Sequence, residues 1–114
     1  MKDIYGEIQY KDKTYKLVFN LNVMETIQEE YGSVAKWAEL TEPDSGEPDI
    51  KAVIFGLTNA INEGIEIEND DNGTDIKPLT KKQVGRIITE YGLANATQAL
   101  KDTVIKSTKD EKNA

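Results

Sequence analysis

The chain has 114 residues, enough for one domain of ordinary size and too few for two substantial ones. It contains neither cysteine nor histidine, which removes thiol nucleophiles, disulfides, zinc and iron–sulfur centres, serine–histidine triads and imidazole acid–base chemistry together. Fourteen basic against 21 acidic residues leave a net charge of −7, and Arg86 is the one arginine; nucleic-acid binders carry a basic excess rich in guanidinium forks, so no nucleic-acid partner is expected.

The first twenty residues read as a β-hairpin. Ile4, Ile8 and Tyr10 share one parity, a polar Lys11-Asp12-Lys13 turn follows, and Tyr15, Leu17 and Phe19 resume the apolar alternation. Two strands alone are marginal in water, so the hairpin must pack on helices, and its free edges are where subunits could pair. Asn20-Leu21-Asn22 ends the strand and offers a cap. Met24, Ile27, Gln28 and Tyr31 then recur at helical spacing, and Gly32 stands where a helix stops. Ser33 caps a second short helix carrying Val34, Trp37, Ala38 and Leu40, and residues 41–48 form a loop with two prolines.

A longer helix is predicted from about Asp49 to Glu63, with Ile50, Val53, Ile54, Leu57 and Ile61 as its apolar stripe and Gly64 as its end. Ile65 and Ile67 alternate with Glu66 and Glu68, which suggests a short strand, and Asn72-Gly73 carries a hairpin-turn signal. Thr80-Lys81-Lys82-Gln83 has the form of a capping box. The helix it opens carries Val84, Ile87, Ile88 and Tyr91 before Gly92, and Gly85 within it is a place where another backbone can approach. A last helix holds Leu93, Ala96, Thr97, Leu100 and Val104. The expectation is an α+β fold: an N-terminal β-hairpin followed by a bundle of four to five helices with a short extended insert, in one domain over residues 1–106. Residues 107–114 are polar, lysine-rich and read as a frayed, disordered tail.

No site for chemistry assembles from these residues. Between Glu63 and Asp75 lie six carboxylates and no base, but a calcium loop with Gly73 at its sixth position would have Glu68 first and Leu79 twelfth, where Asp and a bidentate Glu are needed. There is no Gly-rich phosphate loop and no nucleophile–base pair, so neither catalysis, metal nor cofactor is expected. No stretch reaches the ~18 apolar residues of a membrane span, and Met1 to Glu7 lacks the apolar core of a signal peptide, so the expectation is an intracellular protein without a membrane partner. Met24, Trp37, Leu40 and Phe55 could line an apolar groove for a partner helix; the plainer reading puts a lone tryptophan in the core.

Several runs read together point further. They are Phe19-Asn20-Leu21-Asn22-Val23-Met24-Glu25-Thr26-Ile27-Gln28-Glu29-Glu30-Tyr31-Gly32-Ser33, Glu47-Pro48-Asp49-Ile50-Lys51, Ile61-Asn62-Glu63-Gly64-Ile65 and Leu79-Thr80-Lys81-Lys82-Gln83-Val84-Gly85-Arg86. Over residues 1–106 the chain resembles the small tail assembly chaperone-like proteins of siphophages and prophages of Gram-positive bacteria, in which an apolar strand and a helix closing on an aromatic residue, Gly and Ser recur near the N-terminus. The resemblance implies a non-catalytic chaperone in the host cytoplasm. It would bind the tape measure protein, keep it soluble while tail tube subunits assemble around it, and be absent from the mature virion. It also implies that a longer, frameshifted product can exist whose added segment contacts the tube protein. Two other readings of the residues remain: a structural tail or head–tail connector component, and an acidic host-directed inhibitor whose complex would be salt-sensitive.

Overall fold

The computed structural model describes residues 5–112, and side chains over residues 6–107. Strands β1 (Tyr5–Tyr10) and β2 (Lys13–Val18) pair antiparallel, with Ile8 opposite Tyr15 and Gly6 opposite Leu17. The connection is the two-residue turn Lys11-Asp12, tightened by a positive φ of 59° at Lys11. One face is apolar, as the alternation requires: Ile8 and Leu17 are buried, and so is Phe19 just past the strand. Ile4 of the expected alternation lies outside the described residues.

Helix α1 (Leu21–Tyr31) starts at Asn20, whose side chain accepts from the Val23 amide, and ends at Gly32 with φ 90°. Its buried positions are Val23 and Ile27; Gln28, placed on the apolar stripe by spacing, is exposed. Ser33 then caps α2 (Val34–Thr41) by accepting from the Lys36 amide. The Tyr31-Gly32-Ser33 run is thus a helix–turn–helix junction: the glycine supplies the backbone conformation that a Cβ disfavours, and the serine satisfies the next helix.

The main departure from expectation is α3. It runs from Ile50 to Asn72 without a break, so Gly64 does not end it and no strand forms at Ile65–Glu68. The cause is packing. A Cβ on Gly64 would stand 2.9 Å from the carbonyl oxygen of Lys16, so this glycine lets α3 press against β2. Ile65 then continues the Leu57–Ile61 stripe at i+4, which outweighs the accidental alternation with Ile67. Gly73, read as part of a hairpin turn, adopts φ 66° and ψ 28° and closes α3 instead. Both roles need the same left-handed backbone, which is why Asn72-Gly73 looks like a turn.

From Gly73 the chain doubles back along α3. Asn69 accepts from the Ile76 amide (2.9 Å) and donates to the Ile76 carbonyl (2.9 Å); Asn62 does the same to Leu79 (2.8 and 3.0 Å). Two asparagines seven residues apart on one helix face thereby satisfy the loop backbone as a neighbouring strand would. Helix α4 (Lys81–Tyr91) opens with the expected capping box between Thr80 and Gln83, and its buried residues are Val84, Ile87 and Ile88.

Helix α5 (Leu93–Lys112) continues beyond the expected boundary at residue 106. Ser107 is buried and its hydroxyl donates to the carbonyl of Phe19, so the start of the expected disordered tail is instead fastened to the end of the hairpin. Residues 113–114 lie outside the described residues. The result is an α+β domain, a two-stranded hairpin followed by five helices around one core. In that core Ile8, Leu17 and Phe19 meet Trp37, Val53, Leu57, Ile61, Val84 and Leu100.

Candidate partner-binding groove

Trp37 does not line a surface. It is 1 % exposed, its ring stacks on Phe19 at 5.7 Å, and its indole N–H donates to the Ala52 carbonyl at 3.0 Å. This corrects its place among the candidate contact residues: a large ring whose polar atom is satisfied internally belongs to the core. Phe55 is half-buried on α3 and meets Tyr31 edge-on at 5.4 Å, with the Lys81 ammonium 5.8 Å above its ring. Met24 is half-buried against the core from α1, and Leu40 is 38 % exposed on α2. The four residues sit on three helices, and none of them lines the apolar depression between α3 and the helix α4.

That depression is a groove of about 560 Å³ between the first turns of α3 and the outer face of α4. Ile50, Val53 and Ile54 form its α3 wall, and Ile88 with Leu93 closes the other side. Ile50 is 49 % exposed, although the sequence places it on the core stripe. The reason is that α3 is apolar around more of its circumference than its neighbours cover. Val53, Leu57 and Ile61 take the core, Ala52 and Gly56 take the side against which Trp37 of α2 packs, and Ile50 and Ile54 are left to the groove.

The α4 side is built differently. Lys82, Gly85, Arg86 and Thr89 follow each other at i, i+3, i+4 and i+7, so they occupy one helix face and look into the groove. No carboxylate among the described residues lines it, in a chain with 21 of them. Neither Lys82 nor Arg86 is ion-paired with a carboxylate among the described residues. A signal for this face is present in the sequence, since three of the four charges on α4 are cations clustered before Ile87. It is legible only once α4 is known to lie beside the first half of α3.

A second, polar cleft of about 300 Å³ lies between α1 and α3. There the Glu63 carboxylate accepts from Asn20 (2.7 Å) and Asn22 (3.1 Å), bringing negative charge to the N-terminus of α1. These bonds tie α3 to the capping residue and account for Glu63 structurally. Tyr31, beside Phe55, has a hydroxyl enclosed without a hydrogen-bond partner among the described residues. Its burial, with the Asp49 and Glu30 carboxylates adding to the effect, raises its pKa above the ordinary value.

No group of three or more acidic side chains among the described residues is placed to hold a metal ion, and no described helix is long and apolar enough to cross a membrane. Compared with known proteins, the chain matches no family model, no curated protein and no solved structure.

Proposed function

We propose that the chain is a non-catalytic tail assembly chaperone of a long-tailed phage or prophage. It acts in the host cytoplasm, holds the tape measure protein soluble, helps recruit tail tube subunits and leaves before the virion is complete. The observation that carries the reading is the open apolar groove between α3 and α4 on a strongly acidic domain. The strand–helix–Tyr31-Gly32-Ser33 run and the Leu79–Arg86 run resemble that family, and the choice of the tape measure protein as partner rests on that resemblance.

A tape measure protein must span the length of a tail, which calls for long helices whose apolar stripes self-associate unless covered. A groove bounded by two helices accepts such a stripe by helix-in-groove docking. Many copies along one rod add avidity, so each contact can be weak enough for tube subunits to displace it. The charge of −7 per copy keeps the coated rod self-repelling.

The test is co-expression with a tape measure protein of the same phage or prophage. The expected result is a tape measure protein that stays in the supernatant only when this chain is present, together with absence of the chain from purified particles. A tape measure protein equally soluble alone rejects the chaperone role, and retention of the chain in particles assigns it to the tail structure instead.

A further inference from the structure

The geometry points to the α3–α4 groove as a docking site for one amphipathic helix of a partner protein, with an apolar ridge seated over Gly85 and acidic side chains flanking that ridge to meet Lys82 and Arg86. That the helix belongs to the tape measure protein rests on the chaperone reading; its chemistry is set by the groove alone.

Gly85 carries the first half of the argument. Three other glycines of the chain are required by its own packing: a Cβ would collide with Thr103 Oγ1 from Gly6 and with Trp37 Cζ2 from Gly56, and would stand 2.9 Å from Lys16 O from Gly64. At Gly85 the nearest atom is Ile54 Cδ1 at 3.9 Å, an ordinary contact, and its φ is not positive. A glycine inside a helix costs about 1 kcal/mol relative to alanine, so here the fold bears that cost without using the missing side chain. Gly85 lies in the groove, where the absence of a Cβ lowers one wall and lets another backbone come close. Helix α4 has 11 residues, about 16 Å, so the groove offers a seat for two to three turns of a helix.

Charge carries the second half. Lys82 and Arg86 are one helical turn apart, and among the described residues they are unpaired with any carboxylate and border a depression that no carboxylate lines, on an acidic protein. Arg86 is the chain's one guanidinium, the group best suited to grip a carboxylate through two parallel hydrogen bonds. A basic or neutral helix would leave both cations facing a partner that does not answer them. A second copy of this chain has carboxylates to offer but no apolar ridge to seat between them. Among the described residues its other exposed large apolar side chains, Leu21, Leu40, Ile67, Ile76 and Ile105, are scattered over four helices and the α3–α4 connection, and none supplies a ridge.

The test uses the full chain and two synthetic helical peptides with the same leucine stripe at i, i+3, i+4 and i+7, one flanked by Glu and one by Lys. Binding is read by fluorescence anisotropy at low salt, and the footprint by amide shift changes. The Glu-flanked peptide is expected to bind about tenfold or more tighter, with shifts confined to α3, α4 and Leu93. Lys82→Glu with Arg86→Glu is expected to reverse that preference, and Gly85→Gln, a better helix former that fills the groove, to weaken both peptides. Equal binding of the two peptides, binding indifferent to Gly85→Gln, or a concentration-dependent dimer that Gly85→Gln dissolves would each overturn the inference, the last by assigning the groove to a second copy. If the doubly charge-reversed chain still keeps the tape measure protein soluble, this site is wrong while the chaperone reading stands. Peptide binding without tape measure solubilisation rejects the chaperone reading and leaves the docking site in place.

Discussion

The indole of Trp37 lies against the backbone of Gly56, so close that a methyl group there would overlap Cζ2 and sit 3.0 Å from Cε2. The ring cannot retreat, because Phe19 stacks on it and its N–H is held by the Ala52 carbonyl. Gly56→Ala gains about 1 kcal/mol of helix propensity but must overpack a rigid ring, which costs about 3 kcal/mol, so a net loss near 2 kcal/mol is expected. Trp37 is the chain's one tryptophan, so denaturant midpoint and emission wavelength can be followed in the same sample. A stability equal to the parent with unshifted emission would show that α2 is free to move away from α3.

Gly6 stands in the same relation to α5. Its missing side chain is occupied by Thr103 Oγ1, whose hydroxyl is bonded to the Ala99 carbonyl at 2.8 Å. Gly6→Ala is expected to cost about 2 kcal/mol in the parent. In a Thr103→Ala background the obstacle is gone, and what remains is the Ala99 carbonyl oxygen at 3.4 Å and the Cβ of residue 103 at 3.5 Å. The double-mutant cycle should therefore show a coupling of more than about 1 kcal/mol. Additive losses would mean that β1 and α5 do not meet at this pair.

Gly64 and Gly85 both lie inside helices and separate the two uses of glycine. Gly64→Ala drives a methyl into the Lys16 carbonyl, a backbone atom that cannot rotate aside, and is expected to destabilise by about 1–2 kcal/mol after the propensity gain. Gly85→Ala meets nothing closer than 3.9 Å and is expected to stabilise by about 0.5–1 kcal/mol. Thermal midpoints moving in opposite directions would bear this out; a stabilised Gly64→Ala would place α3 farther from β2.

How far the sequence can be read follows from the same residues. The hairpin, the caps at Asn20, Ser33 and Thr80, and the stops at Gly32 and Gly92 rest on short-range rules, and the structure has each of them. Gly64 misleads because a helix-stopping glycine and one that admits a distant carbonyl look alike locally. Trp37 lies in the core, as its plainer reading has it, whereas Ile50 leaves the core stripe, for a related reason. Both lie on apolar helix faces, and which face is covered depends on how α2, α3 and α4 are arranged around one another. The groove is legible only in part, through Gly85 as a site of close approach, because its two walls come from separate helices, with Ile54 and Lys82 the nearest in sequence across it.

Asn62 and Asn69 hold the segment that carries the chain from α3 to α4, and they do so with both ends of the amide. Asn62→Asp removes the donor to the Leu79 carbonyl and sets a carboxylate facing it, so a loss of about 2 kcal/mol is expected. Asn69, more exposed at its contacts with Ile76 and Thr74, should cost about 1 kcal/mol on the same change. Hydrogen exchange would separate these effects from global unfolding, since the Leu79 amide should lose protection in Asn62→Asp and the Ile76 amide in Asn69→Asp. Unchanged protection at both amides would show that the loop is held by its own turns.

Tyr31 offers the reverse case, a polar atom whose removal helps. Its hydroxyl is enclosed without a partner while its ring meets Phe55 edge-on, so Tyr31→Phe keeps the packing and removes only the unsatisfied group. The variant is expected to equal or exceed the parent by up to about 1 kcal/mol near neutral pH. The pH dependence follows from the direction of the shift. Burial first, then the Asp49 and Glu30 carboxylates, raise the folded-state pKa above 10.0, so above that pH the folded chain holds a proton that the unfolded chain has released. The stability contributed by the neutral phenol is therefore complete below pH 10.0 and is lost as pH rises through the folded-state pKa. Denaturant midpoints measured from neutral to strongly alkaline pH should fall more steeply in the parent than in Tyr31→Phe. Parallel curves would mean that the Tyr31 hydroxyl reaches solvent in the folded state.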